Sequence, residues 1–122
     1  MSQPTFVLLY VESPARSETF YADLLGSPAL ESSPTFAMFS LQPGLMLGLW
    51  VRDGVEPATT TPAGGSELAF TVENDDAVLA RHADWQQRGL TILQAPTAMD
   101  FGFTFTAADP DGHRLRVFAP AA

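Results

Sequence analysis

The stretch Phe101–Phe118, FGFTFTAADPDGHRLRVF, decides how the rest of the chain is read. It has the form of a β-hairpin. Phe103, Thr104, Phe105 and Thr106 carry the aromatic and β-branched character of a strand. Asp109-Pro110-Asp111-Gly112 is a tight-turn sequence: proline presets φ, aspartate side chains bond nearby amides, and glycine accepts positive φ. Arg114 to Phe118 then alternates polar and apolar with period two. Leu115 and Val117 face one way, and Arg114 and Arg116 face the other. An arginine in mid-strand lies either on a solvated face or inside a polar cavity. The two alternatives imply different functions.

Upstream, Thr5–Val11 is an apolar run of strand length. Ser13 suits a helix N-cap and Pro14 the first helical position. Ser17, Phe20, Tyr21, Leu24 and Leu25 follow at helical spacing, and Gly26 suits the C-terminal cap. Three short strands are expected at Ala29–Ser32, Thr35–Leu41 and Leu45–Val51, separated by Pro34 and by Pro43-Gly44. The stretch from Arg52 to Gly65 is rich in Pro, Gly and Thr, lacks periodicity and reads as a linker. Glu67–Glu73 reads as a strand. Asn74 or Asp75 caps a second helix ending near Gly89, with Val78, His82 and Trp85 on one stripe. Thr91–Gln94 is a short strand, and Ala95–Asp100 is a loop leading into the hairpin.

The order is strand, helix, three strands, and then the same again. Leu9-Tyr10-Val11-Glu12-Ser13 corresponds to Phe70-Thr71-Val72-Glu73-Asn74 at a constant offset of 61 positions, which places Phe6 on Glu67. The expected fold class is α+β, with two tandem βαβββ modules forming a curved mixed sheet around a cavity. Residues 1–52 form module one, residues 53–65 the linker and residues 66–122 module two of a single domain. One such module leaves a sheet face uncovered, and two can enclose a cavity.

The 122 residues are 46% hydrophobic and 11% aromatic, which fits one folded domain and excludes a disordered chain. The net charge is -8 and all six basic residues are arginines, which argues against nucleic acid or an anionic membrane surface as partner. One buried arginine still acts locally against that field. There is no cysteine, hence no disulfide, thiolate nucleophile or zinc-thiolate site. No basic region followed by a long apolar run opens the chain, and no apolar run approaches the roughly 20 residues that span a bilayer. A soluble cytoplasmic protein is expected. No serine, histidine and carboxylate set suggests nucleophilic catalysis. Gly64-Gly65 precedes a strand and not a helix, so it lacks the context of a phosphate loop.

This pattern resembles the vicinal oxygen chelate superfamily, the group of glyoxalases, bleomycin-resistance proteins and extradiol dioxygenases. The likeness is carried by Val11, Ser17, Phe20-Tyr21 and Leu25-Gly26 in the first half. In the second half it is carried by Leu68-Ala69-Phe70-Thr71-Val72, Gly89 and Asp109-Pro110-Asp111-Gly112-His113. Within the superfamily, Leu47-Gly48-Leu49-Trp50, Phe101-Gly102, the DPDGH run and Arg116-Val117 most resemble the phenazine-antibiotic resistance proteins. The resemblance implies metal-ligand positions on the first, fourth, fifth and eighth strands of the family's enzymes. Here those positions hold Phe6, the stretch Met46–Trp50, Glu67 and Arg116. A phenyl ring offers no lone pair, and a guanidinium repels a divalent ion. Glu67 alone falls short of the roughly three protein ligands of a catalytic site. No metal, no cofactor and no catalytic residue is therefore expected. A lyase, isomerase or dioxygenase-type enzyme with a degenerate metal site is the alternative.

The candidate ligand-binding residues follow from this placement. Arg116 is expected to hold a carboxylate or other anionic group, with Glu67 orienting it or binding a donor. The bland alternative is an ion pair that merely fills the place of the metal. Trp50 is expected to stack on a flat ligand, with Gly48 leaving room above the sheet. Phe6, Tyr10, Phe36, Met38, Met46 and Phe101 are candidates for an apolar lining, each alone as consistent with core. Trp85 and His82 read as structural, His113 as bonded to the turn backbone, and Asp109 and Asp111 as turn formers. Asp100 is a candidate hydrogen-bond acceptor for a ligand. The function implied is metal-independent binding and sequestration of a planar aromatic small molecule, phenazine-like or bleomycin-like, in antibiotic resistance. By resemblance a homodimer is expected, with exchange of modules between chains left open.

Overall fold

The computed structural model describes residues 3–121, so the outer module limits at residues 1 and 122 lie outside it. The chain runs β1 (Phe6–Val11), α1 (Pro14–Leu25), β2 (Glu31–Ser32), β3 (Phe36–Gln42), β4 (Leu45–Val51) and a 3-10 turn at Arg52–Gly54. It continues through β5 (Glu67–Thr71), α2 (Asp75–Gln87), β6 (Thr91–Met99), β7 (Gly102–Ala108) and β8 (Arg114–Pro120). The βαβββ order thus occurs twice. Two compact units divide between Ala63 and Gly64. Each holds one four-stranded mixed sheet, ordered β1-β4-β3-β2 in the first and β5-β8-β7-β6 in the second. In each, the first strand pairs in parallel with the last and the remaining pairs are antiparallel.

The helices start where side chains can satisfy free amides. The Ser13 hydroxyl accepts from the Arg16 amide at 3.2 Å and caps α1. Asn74 Oδ1 accepts from the Ala77 amide at 2.9 Å and caps α2. The two caps lie at the offset of the repeat, so the duplication extends to the device that begins each helix. Replacing Asn74 with alanine is expected to lower stability by about 1 kcal/mol, read as a shift of the urea midpoint at unchanged slope.

Period-two alternation assigns each sheet a core face. In the first unit Leu9, Val11, Ala37, Phe39, Leu47 and Leu49 are buried, and α1 contributes its buried Ser17 and Tyr21. In the second unit Phe105, Ala107, Leu115, Val117 and Ala119 are buried, as are Val78 and Trp85 of α2. Trp85 meets Phe70 and Phe105 edge to face at 5.8 and 5.4 Å, and His82 meets Phe105 at 5.2 Å. These two helix residues are therefore packing groups.

The hairpin turn closes as its residues require. The Asp109 carboxylate accepts from the amides of Asp111 and His113, both at 2.9 Å, and Gly112 takes φ 86°. The His113 ring also reaches back to the segment before β5. Its Nδ1 accepts from the Gly64 amide at 3.3 Å and lies 2.8 Å from the Ser66 hydroxyl. Turn and linker end are thereby tied together inside the second unit.

Two expectations are corrected. Ala95–Asp100 is not a loop: β6 continues to Met99, with register shifts between Ile92 and Gln94 and between Gln94 and Thr97. Pro96 reads as a strand breaker, but β6 lies at a sheet edge, where a missing N–H deprives no neighbour. The linker is also less plain than its composition suggests. It begins with the 3-10 turn, buries Val55, and its Arg52 guanidinium donates to the Thr61 carbonyl.

Candidate functional site

The first unit presents an apolar sheet face opposite its core. Register places Phe6, Leu8 and Tyr10 of β1 beside Met46, Gly48 and Trp50 of β4, and Phe36 and Met38 of β3 beside Trp50 and Gly48. Side chains at register partners share a face, so this face carries every expected lining residue of the first unit. Phe6 and Leu8 are 46% and 44% exposed. Tyr10 meets Trp50 edge to face at 6.2 Å. The room expected above Gly48 is absent. A Cβ there would meet Leu8 Cδ2 at 2.5 Å and Phe36 Cζ at 2.9 Å, so two neighbours already lie over the glycine. Gly48 lets Leu8 and Phe36 close over the middle of the sheet, and Phe6 and Leu8 are the exposed large apolar side chains of the face.

The second unit presents a polar cluster on its corresponding face. Arg116 lies beside Ala69 of β5 and Thr106 of β7. Its Nε donates to Glu67 Oε2 at 2.8 Å and its Nη2 to Glu67 Oε1 at 3.4 Å, a two-pronged ion pair. Nη1 donates to Thr104 Oγ1 at 3.1 Å and to Gln94 Oε1 at 3.4 Å. Gln94 Oε1 also accepts from the Thr106 hydroxyl at 3.3 Å, so two donors fix the orientation of that amide. Thr104 donates its own proton to the Val117 carbonyl at 2.9 Å. The guanidinium carbon lies 5.5 Å from the centroid of the Phe101 ring, which in turn meets Phe118 at 5.8 Å. Phe101 sits in the two-residue connection between β6 and β7 and is 43% exposed. Asp100 beside it is an exposed turn residue.

Glu67, Arg116 and Phe101 are thus brought together in one unit, and Phe6, Tyr10, Phe36, Met38, Met46 and Trp50 on one face of the other. Reading the sequence missed Gln94, Thr104 and Thr106. Parity within TFT places both threonines opposite Phe105, so their shared face was open to inference. Gln94 lies between the register shifts of β6, which hide its parity. A groove of about 630 Å³ at the start of α2, lined in part by Glu73, Asp75, Asp76 and Met99, was also not foreseen.

The family's enzymes imply a divalent metal, and the residues present do not fit one. Both oxygens of Glu67 are engaged by a permanent cation, and Phe6 has no donor atom. Among the described residues no three His, Cys, Asp or Glu side chains cluster as a metal site would require. No helix among the described residues is long and apolar enough to cross a membrane.

Comparison with known proteins gives the same lineage. The solution NMR structure of protein ATC0852 from Agrobacterium tumefaciens is 53% identical, covers the whole of both chains and superposes with a TM-score of 0.89. A glyoxalase-related enzyme from Fulvimarina pelagi shares the fold at a TM-score of 0.82 and 21% identity, over 98% of this chain and 88% of that one. The phenazine antibiotic resistance protein EhpR of Enterobacter agglomerans is 26% identical over 117 residues, covering 93% of this chain and 89% of that protein. The family model of the Glyoxalase/Bleomycin resistance protein/Dioxygenase superfamily matches residues 3–117, and the chain belongs to that superfamily.

Proposed function

We propose that this protein binds a planar aromatic small molecule and sequesters it stoichiometrically, as a drug-binding resistance protein that uses no metal. The observation that carries this reading is the sheet face of the first unit. Phe6, Tyr10, Phe36 and Trp50 share it with two methionines, and phenylalanine and leucine side chains on it stand nearly half exposed. Exposed aromatic surface of this kind is costly to keep in water and gains most from a flat apolar ligand. Similarity to a phenazine antibiotic resistance protein supports a tricyclic aromatic as the ligand class.

A catalytic reading would require Glu67 as a free base. Both of its oxygens accept from the Arg116 guanidinium, so it is not free to take a proton from a substrate. Sequestration instead requires protein at a concentration comparable to the drug's, and a micromolar dissociation constant corresponds to about -8 kcal/mol. The test is titration of the protein with phenazine, read by tryptophan fluorescence. Saturable quenching with one-to-one stoichiometry, unchanged by EDTA, is the expected result. Absence of quenching up to millimolar phenazine rejects the reading.

A further inference from the structure

The aromatic face of the first unit carries a carboxylate at its edge, and that group bears on which rings fit. We infer, resting on the binding reading above, that the face selects planar aromatic cations over neutral and anionic rings, with Glu31 of β2 as the selecting group.

Glu31 is the register partner of Met38, Met38 of Gly48, and Gly48 of Leu8. Register partners share a face, so Glu31 stands on the face of Phe36 and Trp50. Its neighbour Ser32 gives the same placement independently. The Ser32 hydroxyl donates to Glu18 Oε1 of α1, so Ser32 points to the helix side, and successive side chains of a strand point to opposite faces. Glu31 is exposed, and β2 is a two-residue strand at the sheet edge. Among the described residues no cation pairs with it.

The rest of the unit does not supply an opposing charge to this face. Residues 1–63 hold two arginines against six acidic residues. Arg16 lies on α1, 4.0 Å from Glu12. Arg52 follows β4, donates to the Thr61 carbonyl and shares its 3-10 turn with Asp53. Tyr10 and Ser40 add only uncharged hydroxyls, and the Ser40 hydroxyl donates to the Gln42 carbonyl at 3.4 Å. A ligand carboxylate would therefore meet no cation on the face. A ligand cation would meet the negative π-faces of Phe36 and Trp50, the polarisable thioethers of Met38 and Met46, and Glu31. An exposed carboxylate alone contributes little, because solvent screens it. A flat ring seated on the aromatic face sheds water from one side, so the attraction of Glu31 adds to that of the rings.

Three probes with one ring system test this by calorimetry at pH 7: N-methylphenazinium, phenazine and phenazine-1-carboxylate. The wild-type protein is expected to bind the cation about threefold or more tighter than phenazine, and at least about tenfold tighter than the carboxylate. The preference should shrink as salt rises from about 20 mM to about 0.5 M, while phenazine responds little. Glu31→Gln should bring the cation to within about twofold of phenazine. Glu31 is exposed at a sheet edge, so the variant should melt as the wild type does, and Glu31→Ser gives a second reading of the same effect. Glu18→Gln removes the same charge on the helix side and should keep the wild-type preference. Phenazine binding without preference for the cation, or a preference lost equally in Glu18→Gln, overturns selection by Glu31 and leaves the binding reading standing. If none of the three probes binds, both fall together.

Discussion

Gly102→Ala is expected to destabilise the protein by about 3 kcal/mol or more, lowering its melting temperature by roughly 10 °C. Gly102 opens β7 at φ 148°, which L side chains rarely adopt. It is paired with Pro120 at the end of β8. A Cβ built there would lie 2.0 Å from the Ala119 carbonyl oxygen, 2.9 Å from its carbon and 3.0 Å from the Ala121 nitrogen. All three are backbone atoms, so no rotamer change relieves the contact. Either β7 or β8 must move, and the two share the longest hydrogen-bonded register of the second sheet. The displacement would also reach Phe101, whose carbonyl accepts from the Ala121 amide at 2.9 Å and whose ring lies under Arg116. Gly65→Ala is the control: φ is not positive there and no atom lies within 4 Å, so its effect should stay within about 0.5 kcal/mol. A melting temperature for Gly102→Ala within 2 or 3 °C of the wild type, about 1 kcal/mol, would show that the strand ends yield easily.

The elements with strong local chemistry were legible from the residues. Ser13-Pro14 and Asn74 start the helices, and DPDG closes the hairpin through side-chain bonds that the sequence itself encodes. Parity correctly set Arg116 apart from Leu115 and Val117, and Trp50 with Met46 apart from Leu47 and Leu49. Pairing across 49 positions between Glu67 and Arg116 came from the resemblance, because no local pattern links the two residues. Other features depend on tertiary placement. Pro96 looks like a loop residue until β6 is known to be an edge strand. Gly48 looks like empty space until β1 and β3 are known to flank it, which brings Leu8 and Phe36 over it. The commitment of Gln94 to Arg116 has no local signature either, since it depends on where a bulged strand resumes its register.

Truncating Trp50 to alanine is expected to weaken phenazine binding by about thirtyfold or more, near 2 kcal/mol, the scale of a central aromatic contact. The indole is half-buried, flanked across the strands by Tyr10 and Phe36, and meets the Tyr10 ring at 6.2 Å. The indole is only partly buried, and stacking of a flat ring on its remaining surface is what the binding reading requires. The second tryptophan supplies an internal reference. Trp85 is 2% exposed and enclosed by Phe70 and Phe105, so a ligand cannot touch it without unfolding α2 from its sheet. Ligand-dependent quenching should therefore belong to Trp50 alone. In Trp50→Phe the residual emission of Trp85 should no longer respond to phenazine, while calorimetry should still detect binding weakened only several-fold, because a phenyl ring retains part of the stacking area. Trp50→Ala should lose the quenching, show the roughly thirtyfold weaker binding by calorimetry and keep a cooperative melt, since Trp50 is not among the buried core residues. Calorimetric affinity of Trp50→Ala within threefold of the wild type would place the ligand away from this face, and the sheet of the first unit would then need another occupant.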